Sequence, residues 1–181
     1  FDKVFEEDRV FIHAHFGTNE IDDIFAKLRY LIVGCDCKWV VVDHLHMLVS
    51  AVHEGDERRA IDSIMTRLRS LVEETGAGLI LVSHLRRVDG NKGHENGIEV
   101  SLSHLRGSNS IGQLSDCVIA LERNQQSSDE LEARTTKLRV LKSRYTGDVG
   151  MASSLVYDKD TGRLSEDDVS EFEVEDNAIS I

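Results

Sequence analysis

Proline is missing altogether from the 181 residues, where average usage would supply about nine; the composition offers no physical reason for it. Cysteine is scarce. Cys35, Cys37 and Cys117 make no disulfide framework, which points to a reducing compartment. No apolar run approaches the roughly 18 residues that a membrane-spanning helix needs, and no signal peptide is expected. Positive charge is also short: Lys and Arg number 21 against 33 Asp and Glu, a net charge of -12. That balance argues against a surface that coats nucleic acid generally.

The deficit is uneven. Between Ser165 and Ile181 stand Glu166, Asp167, Asp168, Glu171, Glu173, Glu175 and Asp176, with no Lys or Arg. Residues 165–181 are therefore expected to be a disordered acidic tail. Residues 1–164 are long enough for one domain with a real core, and 40% hydrophobic with 30% charged residues is ordinary for a globular chain. A modestly acidic body can still offer a local basic loop to a phosphate backbone.

What is present is organised around Lys38–His44, KWVVVDH. Trp39, Val40, Val41 and Val42 read as a fully buried strand of a mainly parallel sheet. Asp43 ends it, where open α/β sheets place their ligands. An acid there can hold the water shell of Mg²⁺, a hard cation that takes oxygen ligands; it can equally cap the next helix. A helix is expected from an Asn19 cap to Val33, ended by Gly34, after a short strand over 9–15. Asp56–Glu74 is the clearest helix, with Ile61, Ile64, Met65, Leu68, Leu71 and Val72 at helical spacing and Gly76 closing it. Gly78–His84 reads as another buried strand. The order β-α-β-α-β argues for a parallel sheet with crossover helices.

Residues 86–100 lack periodicity and are expected to be a long mobile loop, a feature that in a compact domain is usually functional. Asp116–Leu121 is a further apolar strand, and 124–133 a polar turn. Thr136–Arg144 alternates, and Ser153–Tyr157 and Leu164 flank the hairpin turn Asp158–Gly162. These strands are expected to extend the parallel sheet in antiparallel fashion. His13-x-His15, Cys35-x-Cys37 and His44-x-His46 invite a zinc reading, since residues two apart on a strand share a face, but their spacing fits no standard zinc pattern.

Five segments taken together, VVVDH at 40–44, GLILVSHL at 78–85, LRGSNSIGQLSDCVIALERNQQ at 105–126, LKSRYTGDVG at 141–150 and YDKDTGRL at 157–164, resemble the C-terminal helicase domain of phage primase–helicases and the mitochondrial Twinkle helicase. These are ring-forming replicative DNA helicases. The resemblance implies an α/β, RecA-like P-loop NTPase core with antiparallel C-terminal strands. It departs at one point. The phosphate-binding loop G-x-x-x-x-G-K-[ST] does not occur in the chain, nor do the strand that carries it and the water-polarising Glu, which the family places upstream. The loop's amides and Lys supply most of the phosphate binding. With Phe1 rather than Met at its start, the chain is expected to be an N-terminally truncated piece of a longer product and inactive alone.

Roles follow by resemblance, residue by residue. Asp43 matches the Mg²⁺-holding acid. His84 matches the sensor of the nucleotide's γ-phosphate and Gln113 a second sensor. Lys142 and Arg144 match the cations, Arg144 the arginine finger, that one subunit lends to its neighbour; guanidinium suits this because its fork spreads charge over phosphoryl oxygens. Both are expected on one strand face, and otherwise read as solvated edge-strand charges. Tyr157 matches the aromatic that packs on the nucleotide base, with Arg123 near the same pocket. Residues 86–97 and 105–110 match the central-channel loops. Arg86, Arg87, Asn91, Lys92, Arg106, Ser108 and Asn109 are the candidate DNA-phosphate contacts, and Gly107 with its neighbours lets backbone amides approach the strand.

The implied function is an ATP- or dTTP-driven, Mg²⁺-dependent helicase that translocates on single-stranded DNA as a hexamer during replication. Its place would be the cytoplasm of a phage-infected cell or the nucleoid, with no membrane partner, and its acidic tail would dock the replicative polymerase. A RecA-like recombinase or clock ATPase, and a non-catalytic domain for ring assembly or polymerase docking, are the rival readings.

Overall fold

Asp56 sits where a capping residue should, and in the computed structural model its side chain accepts a hydrogen bond from Arg58 N. The helix that follows, α3, runs Glu57–Thr75 and closes on Gly76 at φ 71, a left-handed position that costs glycine nothing. The structure describes residues 10–13, 20–50, 56–87 and 93–166. The strand expected over 9–15 and the Asn19 cap fall mostly outside them; so do Asn91, Lys92 and the tail beyond Glu166.

Contacts divide the chain into two compact units. The first comprises residues 1–86 with 105–114, the second 87–104 with 115–181. In the first, α1 (Ile21–Arg29) passes into a π-helical turn, Tyr30–Gly34. Gly34 does not end this helix in the left-handed region; Cys35 caps it, and Asp36 at φ 55 makes the bend. β1 (Trp39–Val42) and β2 (Gly78–Leu81) then pair in parallel, Trp39 opposite Gly78 and Val42 opposite Leu81. Between them come α2 (Leu45–Ser50) and α3. α2 was not expected: six residues are too few to show a helical period.

The core of this unit gathers Ile61, Ile64, Leu68 and Leu71 of α3 with Phe25, Leu45 and Ile111. Full burial of one such side chain contributes roughly 1.5–3 kcal/mol. β1 and β2 are not the fully buried strands that their sequences predict. Val40 is buried, but Trp39, Val41 and Ile80 are 69%, 64% and 51% exposed. Helices cover one face of the pair, and among the described residues nothing covers the other.

In the second unit β3 (Cys117–Glu122), β4 (Thr135–Ser143), β5 (Gly150–Tyr157) and β6 (Leu164–Glu166) form an antiparallel sheet in that order. It is a sheet of its own, not the expected extension of the parallel pair. β6 also takes in Ser165 and Glu166, which were expected to belong to the tail. A short helix, α5 (Glu130–Arg134), lies in the stretch expected to be a turn, capped by Asp129. Val140 and Leu141 interrupt the alternation of β4, and the ladder shows why. Val118 faces Lys142 and Ile119 faces Val140, so Leu141 is the extra residue of a bulge. Buried Glu122 accepts from Val100 N at 2.7 Å and Arg139 Nε at 2.8 Å, and Arg139 also meets Glu99 at 3.1 Å. The hydrogen bond to Glu122 raises the Arg139 guanidinium above its ordinary value.

Candidate active site

The parallel ladder continues past the strand ends. Val82 N donates to Val42 O at 3.0 Å and Leu45 N to Val82 O at 2.9 Å. Asp43 and His84 are therefore carried to the same end of the β1–β2 pair. Asp43 is exposed there, its peptide to His44 is cis, and it makes no capping hydrogen bond among the described residues. The capping alternative is removed and the carboxylate is left facing solvent.

His84 does more than end a strand. Its carbonyl accepts from Arg106 N at 3.1 Å, and Leu85 forms an antiparallel bridge with Leu105. The His84 backbone and the loop over 105–110 are thus fastened to one another. The bridge also sets Arg86 and Arg106, both exposed, on the two segments expected to line a channel. Arg106 meets Glu57 Oε1 at 3.5 Å. Gly107 takes φ 104, and a Cβ there would overlap Ile61 Cδ1, so only glycine lets the loop lie against α3.

Three imidazoles converge at this end. The His84 ring lies 4.0 Å from that of His44 and stacks on that of His46 at 5.4 Å and 14°. His44 and His46 do not share a strand face as their spacing predicts, because β1 has already ended and His46 belongs to α2. The helical turn nonetheless brings their rings to 6.0 Å. Burial holds the His46 imidazole below its ordinary value, and the Arg106 charge pushes the same way against Glu57. His46, three residues after Asp43, is visible in the sequence; its meeting with His84 is not.

Ser108 corrects an expectation. It is buried, its hydroxyl donates to the Asp62 carboxylate, and its Oγ accepts from Ser110 N at 3.1 Å. The side chain holds the loop in place instead of facing a DNA strand. Gln113, exposed on the short helix α4 (Ser110–Leu114), lines an open polar hollow with Arg58, Asp62, Thr66 and Asn109. The structure groups it with the loop residues Ser108 and Asn109.

In the second unit the candidates stand at opposite ends of one sheet. Lys142 Nζ donates to Ser115 O at 2.8 Å, and Arg144 pairs with Asp116 Oδ1 at 3.0 Å. β4 ends at Ser143, so Arg144 opens the following turn and does not share a strand face with Lys142. Nor is β4 an edge strand, since β3 and β5 flank it. Arg123 donates from Nε to Ala133 O at 2.7 Å. Tyr157, half-buried, closes β5 opposite Leu164. The register places Arg123 and Tyr157 at the end of the sheet away from Lys142 and Arg144.

Among the described residues, Cys35 and Cys37 join no cluster of three metal-ligating groups, and no helix is long and apolar enough to cross a membrane.

The "DNA helicase/primase" of Enterobacteria phage T3 is 41% identical over 164 residues, covering 91% of this chain and 28% of that protein. The chain thus spans under a third of that relative's length. A DnaB-like replicative helicase, solved in a study of its interactions with primase, superposes with a TM-score of 0.63 at 22% identity over 81% of this chain and 34% of its own. A KaiC-like protein from the hyperthermophilic archaeon Pyrococcus horikoshii gives 0.59 at 14% identity, over 91% and 63%. Both carry the RecA-like fold, and the α/β architecture here is of that kind. The profile of the DnaB-like helicase C-terminal domain matches residues 2–166, and this chain belongs to that family.

Proposed function

We propose that this chain is the nucleotide-sensing and DNA-gripping part of a replicative DNA helicase that couples ATP or dTTP hydrolysis to movement along single-stranded DNA. The observation that carries the reading is the seam between His84 and Arg106. A side chain placed to report a terminal phosphate is bonded through its own backbone to the loop that would hold DNA. A shift of His84 on hydrolysis reaches Arg106, Gly107 and Asn109 without an intermediary. Arg86 extends that surface, and Arg87, Asn91 and Lys92 are further candidate phosphate contacts. Few aromatics stand near, so backbone tracking fits better than base stacking, as suits an enzyme indifferent to sequence.

Mg²⁺ takes oxygen ligands and keeps several waters. The exposed Asp43 carboxylate fits one such position, and when bound the ion would neutralise charge on the phosphates. Asp43 and His84 act on the nucleotide of their own subunit. Gln113, grouped with the loop, serves as a second sensor. Arg123 and Tyr157 receive the base.

Lys142 and Arg144 serve a neighbour's nucleotide in a hexameric ring. β4 has nine residues, and at about 3.3 Å each it separates them from Tyr157 by roughly 25 Å, more than one nucleoside triphosphate spans. Asp116 occupies only part of the five-donor fork of Arg144, which leaves donors for phosphoryl oxygens. Single-stranded DNA, copies of the chain in the ring and, through the acidic residues after Ser165, the replicative polymerase are the partners. The setting is the cytoplasm of the infected cell.

The test uses the intact polypeptide that contains this chain. Arg144→Ala should keep nucleotide binding and lose DNA-stimulated turnover by about 10³-fold or more. Normal turnover would remove the finger assignment. His84→Asn should retain binding and abolish the stimulation by DNA; stimulation that survives would sever the proposed coupling.

A further inference from the structure

We propose that His44, His46 and His84 form a binding site for a divalent transition cation of the zinc class, distinct in chemistry from the oxygen-lined position of Asp43. Their ligand nitrogens all lie within 4.8 Å of one another. His44 Nδ1 and both ring nitrogens of His46 are buried with no hydrogen-bond partner. Buried polar groups are normally paired, and each exception asks for a reason. Three imidazoles suit Zn²⁺, Co²⁺, Ni²⁺ or Cu²⁺ and not Mg²⁺.

Zn–N bonds of about 2.0–2.1 Å put tetrahedral ligands roughly 3.4 Å apart. The rings must therefore close by about an ångström, within reach of small χ rotations. A carboxylate that could support the site stands close by. Glu57 Oε1 lies 3.8 Å from His46 Nε2, so His46 can bind metal through Nδ1 and donate its other N–H to that carboxylate, as metal-bound histidines commonly do. Glu57 also offsets the Arg106 charge at 3.5 Å. Exposed His84 leaves a way in, and three protein ligands leave a fourth position open to water or a phosphate oxygen.

An ion held here takes one His84 ring nitrogen and fixes the ring, so metal binding restrains the movement that phosphate sensing by His84 requires. That consequence rests on the sensor reading above; the binding itself does not. Co²⁺ binding by the chain, together with full DNA stimulation in the His84→Asn variant of the intact polypeptide, would retire the sensor and leave the metal site standing.

Co²⁺ alone is the first probe, titrated into the 181-residue chain and followed by its visible d–d absorption. One equivalent should bind and be displaced by Zn²⁺. His46→Ala and His84→Ala should each weaken Co²⁺ by at least about tenfold, Glu57→Gln by about tenfold, and the double variant Cys35→Ser/Cys37→Ser not at all. His84 is exposed, so its variant should fold, which its thermal melt verifies. A readout without substitution is the ¹⁵N-histidine spectrum of the native chain, in which equimolar Zn²⁺ should move the resonances of His44, His46 and His84. No binding, binding lost with the two cysteines, or shifts confined to other histidines would overturn the site.

Discussion

In the first unit the buried side chains are nearly all apolar, with Leu45, Ile61, Ile64 and Leu68 under 2% exposed. In the second, the buried described residues are Val100, Ala120 and the acid Glu122. One unit is held by helices packed on a short parallel pair, the other by the ladders of a four-stranded sheet and a polar pin. The contrast bears on function. The proposed sensor end, with Asp43 and His84, stands on a rigid apolar floor. The sheet that carries the proposed trans-acting cations depends on Glu122 and Arg139 to fasten residues 99–100 to β3 and β4. Deleting a partner of a buried charge pair is costly because the other charge stays behind unpaired.

The sharpest way to break the comparison is Glu122→Ala, which takes the nearer of two carboxylates from the 19% exposed Arg139 side chain, leaving it only Glu99, and strands the Val100 N–H. A loss of about 3–5 kcal/mol is expected in urea denaturation. Glu122→Gln keeps an acceptor for Val100 and should lose less. A cost for Glu122→Ala below about 1 kcal/mol would mean that the sheet does not need its pin. In the first unit Leu68→Ala should cost about 3 kcal/mol through a cavity beneath α3, with the same readout. If Leu68→Ala proves nearly neutral, the apolar floor is not what supports that unit. Asp56→Ala removes only the cap of α3, and about 1 kcal/mol is expected as a lowered Tm. A loss as large as that of Leu68→Ala would show that Asp56 does more than cap.

How much of this was legible in the sequence depended on whether the signal was local. Asp56 and Gly76 mark the ends of α3 to within a residue, because capping is decided by a few neighbouring residues. β3 was legible within a residue for the same kind of reason, a short apolar run with polar ends. The exposed face of β1 was not. A run such as WVVV states that its side chains are apolar, and it cannot state whether a partner covers both faces. The pattern also hid the Leu141 bulge, whose extra residue is defined only against β3. At the candidate site Asp43 and His84 were readable as the ends of their strands. The seam from His84 to Arg106 and the triangle of His44, His46 and His84 were not, since each joins residues distant in sequence. Ser108 looked like a loop hydroxyl free for DNA, and only its tertiary partner Asp62 shows it to be a brace.

That brace leaves an acid signature. The hydrogen bond from Ser108 holds the Asp62 carboxyl below its ordinary value of 3.8. Between the folded and unfolded values the unfolded chain binds the proton and the folded chain does not, so stability falls as pH falls across that window. The contribution is complete above about pH 4 and is lost as pH drops through the folded value. Ser108→Ala removes the donor and lets the carboxyl return toward 3.8. Its Tm should therefore lie below that of the native chain at neutral pH, and the gap should narrow on acidification toward about pH 2. A gap that stays constant over the whole range would mean that Ser108 braces the loop by filling space and not through its bond to Asp62.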